Sequence, residues 1–123
     1  MIFEKVAFTM YAVADPARAR NFYENTLGLK VGLHGSHGGM HWIEYDLPGG
    51  GCLALTNATG KPPGGGGTVA FEVSDLDTLV ADLKAKGVEF RGDIVKGPHC
   101  RMANCVDSEG NALVLHQLDE NRQ

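Results

Sequence analysis

Apolar and polar positions alternate along this chain in an order that occurs twice. Residues 3–13 predict a strand. Asp15 then stands where a helix cap is wanted, and Pro16 follows at the first helical position, where a missing N–H is harmless. Ala19, Phe22, Tyr23 and Leu27 approximate one helical face, and Gly28 closes the helix. Strands are predicted over residues 29–33, 41–45 and 52–56, with a Gly/His loop at 34–39 and a turn at 48–51. Residues 57–67 carry Pro62, Pro63 and four consecutive glycines, and predict a flexible linker. The order then returns. A strand over 68–73 leads to a helix capped by Asp75, in which Leu76, Leu79, Val80 and Leu83 share a face, and Gly87 closes it. Strands follow near 89–91 with 94–95, at 102–106 and at 112–117. Asp46-Leu47-Pro48-Gly49 and Asp107-Ser108-Glu109-Gly110 are turns at matching places. The pattern predicts one α+β domain over residues 1–123, made of two βαβββ modules, 1–56 and 68–118. Each helix covers one face of an antiparallel-rich sheet and leaves the other free.

Composition narrows the function classes. A net charge of −4 without a basic cluster lacks the electrostatic footprint of a nucleic-acid binder. No apolar run is long enough to cross a membrane and no secretory signal is visible. The three cysteines lack CxxC spacing, which speaks against a disulfide framework and a thiolate zinc site and fits a reducing, cytoplasmic setting. Cys52 and Cys105 fall in apolar strand pattern and read as buried thiols. Cys100 lies beside His99 and Arg101, but neighbours in a strand point to opposite faces, which argues against a nucleophilic pair. Gly64 to Gly67 precede neither Lys-Ser/Thr nor a helix, so they do not form a phosphate loop.

Three segments carry a resemblance: residues 13–23 (VADPARARNFY) followed by Leu27-Gly28-Leu29, residues 71–77 (FEVSDLD), and residues 101–111 (RMANCVDSEGN). In this order they resemble the vicinal oxygen chelate superfamily, which includes glyoxalases, bleomycin-resistance proteins and extradiol dioxygenases. The resemblance implies a curved, mostly antiparallel half-barrel sheet around a cavity, and a homodimer. In many members that cavity holds a divalent metal. Transferred by position, its ligands would fall at Phe8, Ala54, Thr68 and Val114. None is a carboxylate or an imidazole, and a divalent cation needs several such donors. Neither a metal nor another cofactor is expected.

What remains is a wall for a small molecule. Alternate strand residues share a face, so Met10 goes with Phe8, Glu72 with Thr68, and His116 with Val114. The expected ligand contacts are Phe8, Met10, Trp42, Glu72, Arg101, Val114 and His116, mostly apolar with a few polar points. Trp42 offers a stacking surface, and Arg101 a partner for an anionic ligand group or for a surface carboxylate. Glu72 and His116 are the candidate catalytic pair, should they meet. The leading expectation is a metal-independent protein that binds and sequesters a small organic molecule, as bleomycin-resistance proteins do. The alternative is a lyase or isomerase that uses Glu72 and His116 as acid–base groups, or a relocated metal at His34, His37 and His41.

Overall fold

Asp15 and Asp75 each start a helix, and each helix lies against its own four-stranded sheet. The side chain of Asp15 accepts from the Arg18 N–H, and that of Asp75 from the Thr78 N–H. The computed structural model describes Ile2 and residues 4–119, so the start of the predicted first strand at Phe3 lies outside the described residues. The chain divides into two compact units, Met1–Gly66 and Gly67–Gln123.

The first unit contains β1 (Thr9–Ala12), α1 (Pro16–Arg20), β2 (Val31–His37), β3 (Met40–Asp46) and β4 (Cys52–Thr56). Its sheet order is β1-β4-β3-β2, with β1 parallel to β4 and the other pairs antiparallel. The second unit contains β5 (Val69–Glu72), α2 (Leu76–Ala85), β6 (Val95–Lys96), β7 (Cys100–Val106) and β8 (Ala112–Leu118). Its order is β5-β8-β7-β6, again with one parallel pair, β5 and β8. Both units are thus βαβββ.

Four details differ from the sequence expectation. The strand expected near 89–91 with 94–95 shrinks to the two residues of β6, preceded only by an isolated bridge between Phe90 and Cys105. β1 begins only at Thr9, opposite Leu53, rather than near residue 3. The predicted Gly/His loop at 34–39 is instead the end of a hairpin. β2 runs to His37, and Gly38 and Gly39 make the turn at φ 56° and 83°, left-handed values that glycine tolerates and a two-residue hairpin turn requires. Finally, α1 passes without a break into π-type turns over Asn21–Thr26, where the Leu27 N–H donates to the Phe22 carbonyl five residues back.

One core fills each unit. Tyr11, Ile43, Tyr45, Leu53 and Leu55 are buried on the helix side of the first sheet, with Ala19, Phe22 and Tyr23 from the helical segment. Phe71, Ala103, Cys105, Leu113 and Leu115 are their counterparts in the second, with Leu76, Val80 and Leu83 from α2. Burial pushes the Cys105 thiol up to about 11, which keeps it protonated and unreactive.

Candidate functional site

The helix-free face of the first sheet is built in rows set by the strand register. Met10, Ala54, Glu44 and Leu33 lie side by side across β1, β4, β3 and β2. The next row on the same face is Ala12, Thr56, Trp42 and Gly35. Ala54 contributes only a methyl group to the centre of this face. Phe8 and Trp42 meet edge to face with centroids 5.2 Å apart. The Trp42 indole N–H donates to Glu44 Oε2 at 2.6 Å, which fixes the ring. Phe8 and Met10 are each 44% exposed, and Leu33 and Met40 about half exposed. This is an aromatic, solvent-facing patch with one carboxylate beside it. Glu44 escaped the sequence reading, although Trp42-x-Glu44 in an alternating strand places both on one face.

On the corresponding face of the second sheet, Glu72, His116, Met102 and Val95 form a row across β5, β8, β7 and β6. Glu72 and His116 meet, with Oε1 2.6 Å from Nδ1. Glu72 Oε2 accepts the Leu118 N–H at 2.8 Å. Burial pushes the Glu72 carboxyl upward, but the Leu118 N–H and His116 outweigh it and hold the group below its ordinary range. Val114 lies on this same face, paired with Asn104 and Ala70. Arg101 does not. It turns to the helix side and forks onto Asp77 of α2, with both N···O distances at 3.0 Å.

The three histidines of the first hairpin do not converge. By strand alternation His37 projects opposite to His34, while His34 and His41 stack on the helix side with centroids 5.1 Å apart. They end a chain of bonds that the sequence reading missed. The Tyr45 hydroxyl donates to Glu24 at 2.9 Å, Arg20 forks onto Glu24 at 2.6 and 3.1 Å, and Arg20 Nη1 donates to His34 Nδ1 at 2.9 Å. His34 Nε2 then lies 2.9 Å from His41 Nδ1. Arginine can only donate, so His34 accepts at Nδ1, carries its proton on Nε2 and passes it toward His41. A metal on His34 Nε2 would require the opposite tautomer, with Nδ1–H facing Arg20. Among the described residues no group of three or more His, Cys, Asp or Glu is arranged to hold a metal.

Within this chain of bonds the Arg20 fork holds the Glu24 carboxyl below its ordinary range, against the upward push of burial and with help from the Tyr45 hydroxyl. A carboxyl depressed in the folded state stabilises the fold above its unfolded value of about 4.3 and loses that contribution as pH falls through the folded value. Glu24→Gln should therefore lower stability at pH 7 by about 2 kcal/mol. It should also shrink the further loss on going to pH 3. Urea titrations of both proteins at the two pH values measure this, and equal acid losses would rule it out.

The positions that the resemblance assigns to a metal are now placed. Phe8 and Ala54 lie on the open face of the first sheet, Val114 on that of the second, and Thr68 just before β5. Three of the four have no side-chain donor, so these residues do not fit a divalent cation.

The chain matches the family described as Glyoxalase/Bleomycin resistance protein/Dioxygenase superfamily over residues 5–115. No curated protein matches it. Among solved structures it is similar to TnmS3, described as an antibiotic binding protein from Streptomyces sp. CB03234. The identity is 26%, the TM-score 0.84, and coverage 97% of this chain and 99% of that one. A superfamily member from Sphaerobacter thermophilus DSM 20745 is 25% identical with a TM-score of 0.81, covering 95% and 99%. A glyoxalase/bleomycin resistance protein from Streptomyces sp. CB03234 is 27% identical with a TM-score of 0.73, covering 90% and 100%. Paired βαβββ units, near-complete coverage in both directions and the family match agree: the chain belongs to the glyoxalase/bleomycin resistance protein/dioxygenase superfamily.

Proposed function

We propose that this protein binds a small organic molecule with an aromatic portion on the open face of its first sheet, and sequesters it without a resident metal. The observation that carries the reading is the edge-to-face Phe8–Trp42 pair on the open face that Ala54 shares. Where a metalloenzyme of this superfamily needs donors, this chain has an aromatic ring and a methyl group. Apolar surface with one oriented carboxylate suits a flat, partly cationic ligand, since Glu44 lies at the edge of the Trp42 ring. The antibiotic-binding description of TnmS3 supports the binding of a small organic molecule.

Trp42 is the sole tryptophan, so its fluorescence reports directly. Titration with bleomycin and with 9-aminoacridine, a flat heteroaromatic cation, should give saturable quenching by at least one of them. Chelator should leave that affinity unchanged. Calorimetry on Trp42→Ala should show the same probe bound roughly tenfold more weakly, the size of a lost aromatic pair. Affinity indifferent to Trp42→Ala, or abolished by chelator, would rule the reading out.

A further inference from the structure

We infer that the Glu72–His116 pair is a proton-accepting site on the open face of the second sheet, taking the hydroxyl proton of a phenolic or enolic ligand. This goes beyond ligand binding at Trp42 and rests on different residues.

The argument is one of donors and acceptors. Both oxygens of Glu72 are engaged, one with the Leu118 N–H and the other with His116 Nδ1. An ionised carboxylate only accepts, so Nδ1 must carry the imidazole proton. The neutral ring then has a bare lone pair on Nε2, and among the described residues Nε2 makes no hydrogen bond. Next to the pair, the Val73 N–H donates to the His116 carbonyl at 2.8 Å and ties the two strands together. His34 is the counterexample in the same chain. There an arginine donates to Nδ1, and the proton is driven to the other nitrogen.

The surroundings define what the lone pair can meet. Met102 flanks His116 on β7, and Val114 and Leu118 flank it along β8. Asn104 and Cys100 share that face of β7, so the bare nitrogen lies in a mostly apolar, partly exposed wall that suits an organic hydroxyl. The transfer balances without a co-reactant. The ligand O–H bond breaks, an N–H bond forms at Nε2, and the oxygen keeps the electron pair. The imidazolium then lies between the new oxyanion and the Glu72 carboxylate, which stabilises it.

Two measurements on the full chain test this. Long-range proton–nitrogen correlation spectra of the neutral imidazole should show His116 protonated at Nδ1 and bare at Nε2. A proton on Nε2 overturns the inference whatever any ligand does. The second measurement uses 4-nitrophenol, whose phenolate absorbs in the visible. Bound to the protein it should ionise about one pH unit lower than free, the size of shift a neighbouring cation produces. His116→Gln should abolish that shift, and Glu72→Gln, whose amide permits the other tautomer, should reduce it. An unchanged shift in His116→Gln, or no binding of nitrophenol to the wild-type protein, overturns the inference. Failure of the Trp42 titration leaves both measurements standing.

Discussion

Replacing Tyr23 with alanine should cost about 3–5 kcal/mol of stability, the range for removing a large aromatic from a filled core. Tyr23 is fully buried, stacks on Tyr45 at 5.7 Å and meets Phe22 edge to face at 5.2 Å. Its loss opens a cavity between helix and sheet and removes both aromatic pairs. Tyr45 matters twice, because its hydroxyl also donates to Glu24. A loosened Tyr45 would release the bonds that run through Arg20 to His34. Urea unfolding followed by circular dichroism measures the loss, and a cost under 1 kcal/mol would mean that the site can collapse. Tyr23→Phe is the control: it keeps the ring and should retain most of the stability.

The second large effect is expected at Asp107. This carboxylate is buried in the turn between β7 and β8, and it organises that turn. Oδ1 accepts the backbone N–H groups of Glu109 and Asn111, both at 2.8 Å, and Oδ2 accepts the Asn111 side-chain amide at 3.0 Å. Asp107→Ala strands these buried donors and should cost about 3 kcal/mol. Asp107→Asn keeps one oxygen acceptor and should cost roughly half as much. In the first unit the register puts Leu47, which has no carboxylate, at the place of Asp107, and Asp46 at that of Val106. Asp46 is exposed, and its turn closes through backbone bonds, Leu47 to Gly51 and Gly50 to Leu47. Asp46→Ala should stay within about 0.5 kcal/mol. Equal costs at the two positions, measured by urea titration, would refute this account. The turn also bears on the second site, because it sets the β7–β8 register that puts His116 beside Met102.

Local chemistry made much of this fold readable. Asp15 and Asp75 cap their helices because a short carboxylate followed by an apolar-periodic stretch has little else to do. β4 was readable to the residue, as a continuous apolar run between turn signals. Alternation put Glu72 on the face of Thr68 and His116 on that of Val114, but only the β5–β8 register brings the two side by side. β2 was not readable past Leu33. It is exposed along its whole length, so no buried face imprints a period on Gly-x-x-Gly spacing. Arg20, Glu24 and Tyr45 were missed because the first two look like an ordinary surface pair, and only the fold brings Tyr45 to them. The direction in which Arg101 points was equally hidden, since its partner lies 24 residues away in α2.

The π turns over Asn21–Thr26 have a consequence for kinship. A π turn holds about one residue more than an α turn, and Asp15 stands 13 positions before Gly28 where Asp75 stands 12 before Gly87. Relatives with a regular helix here would align with a one-residue gap between Asp15 and Gly28. Correspondences counted forward across it would slip by one, and a slip of one in a strand exchanges its two faces. Deleting Asn25 asks whether this segment can close as a regular α-helix of the kind α2 forms.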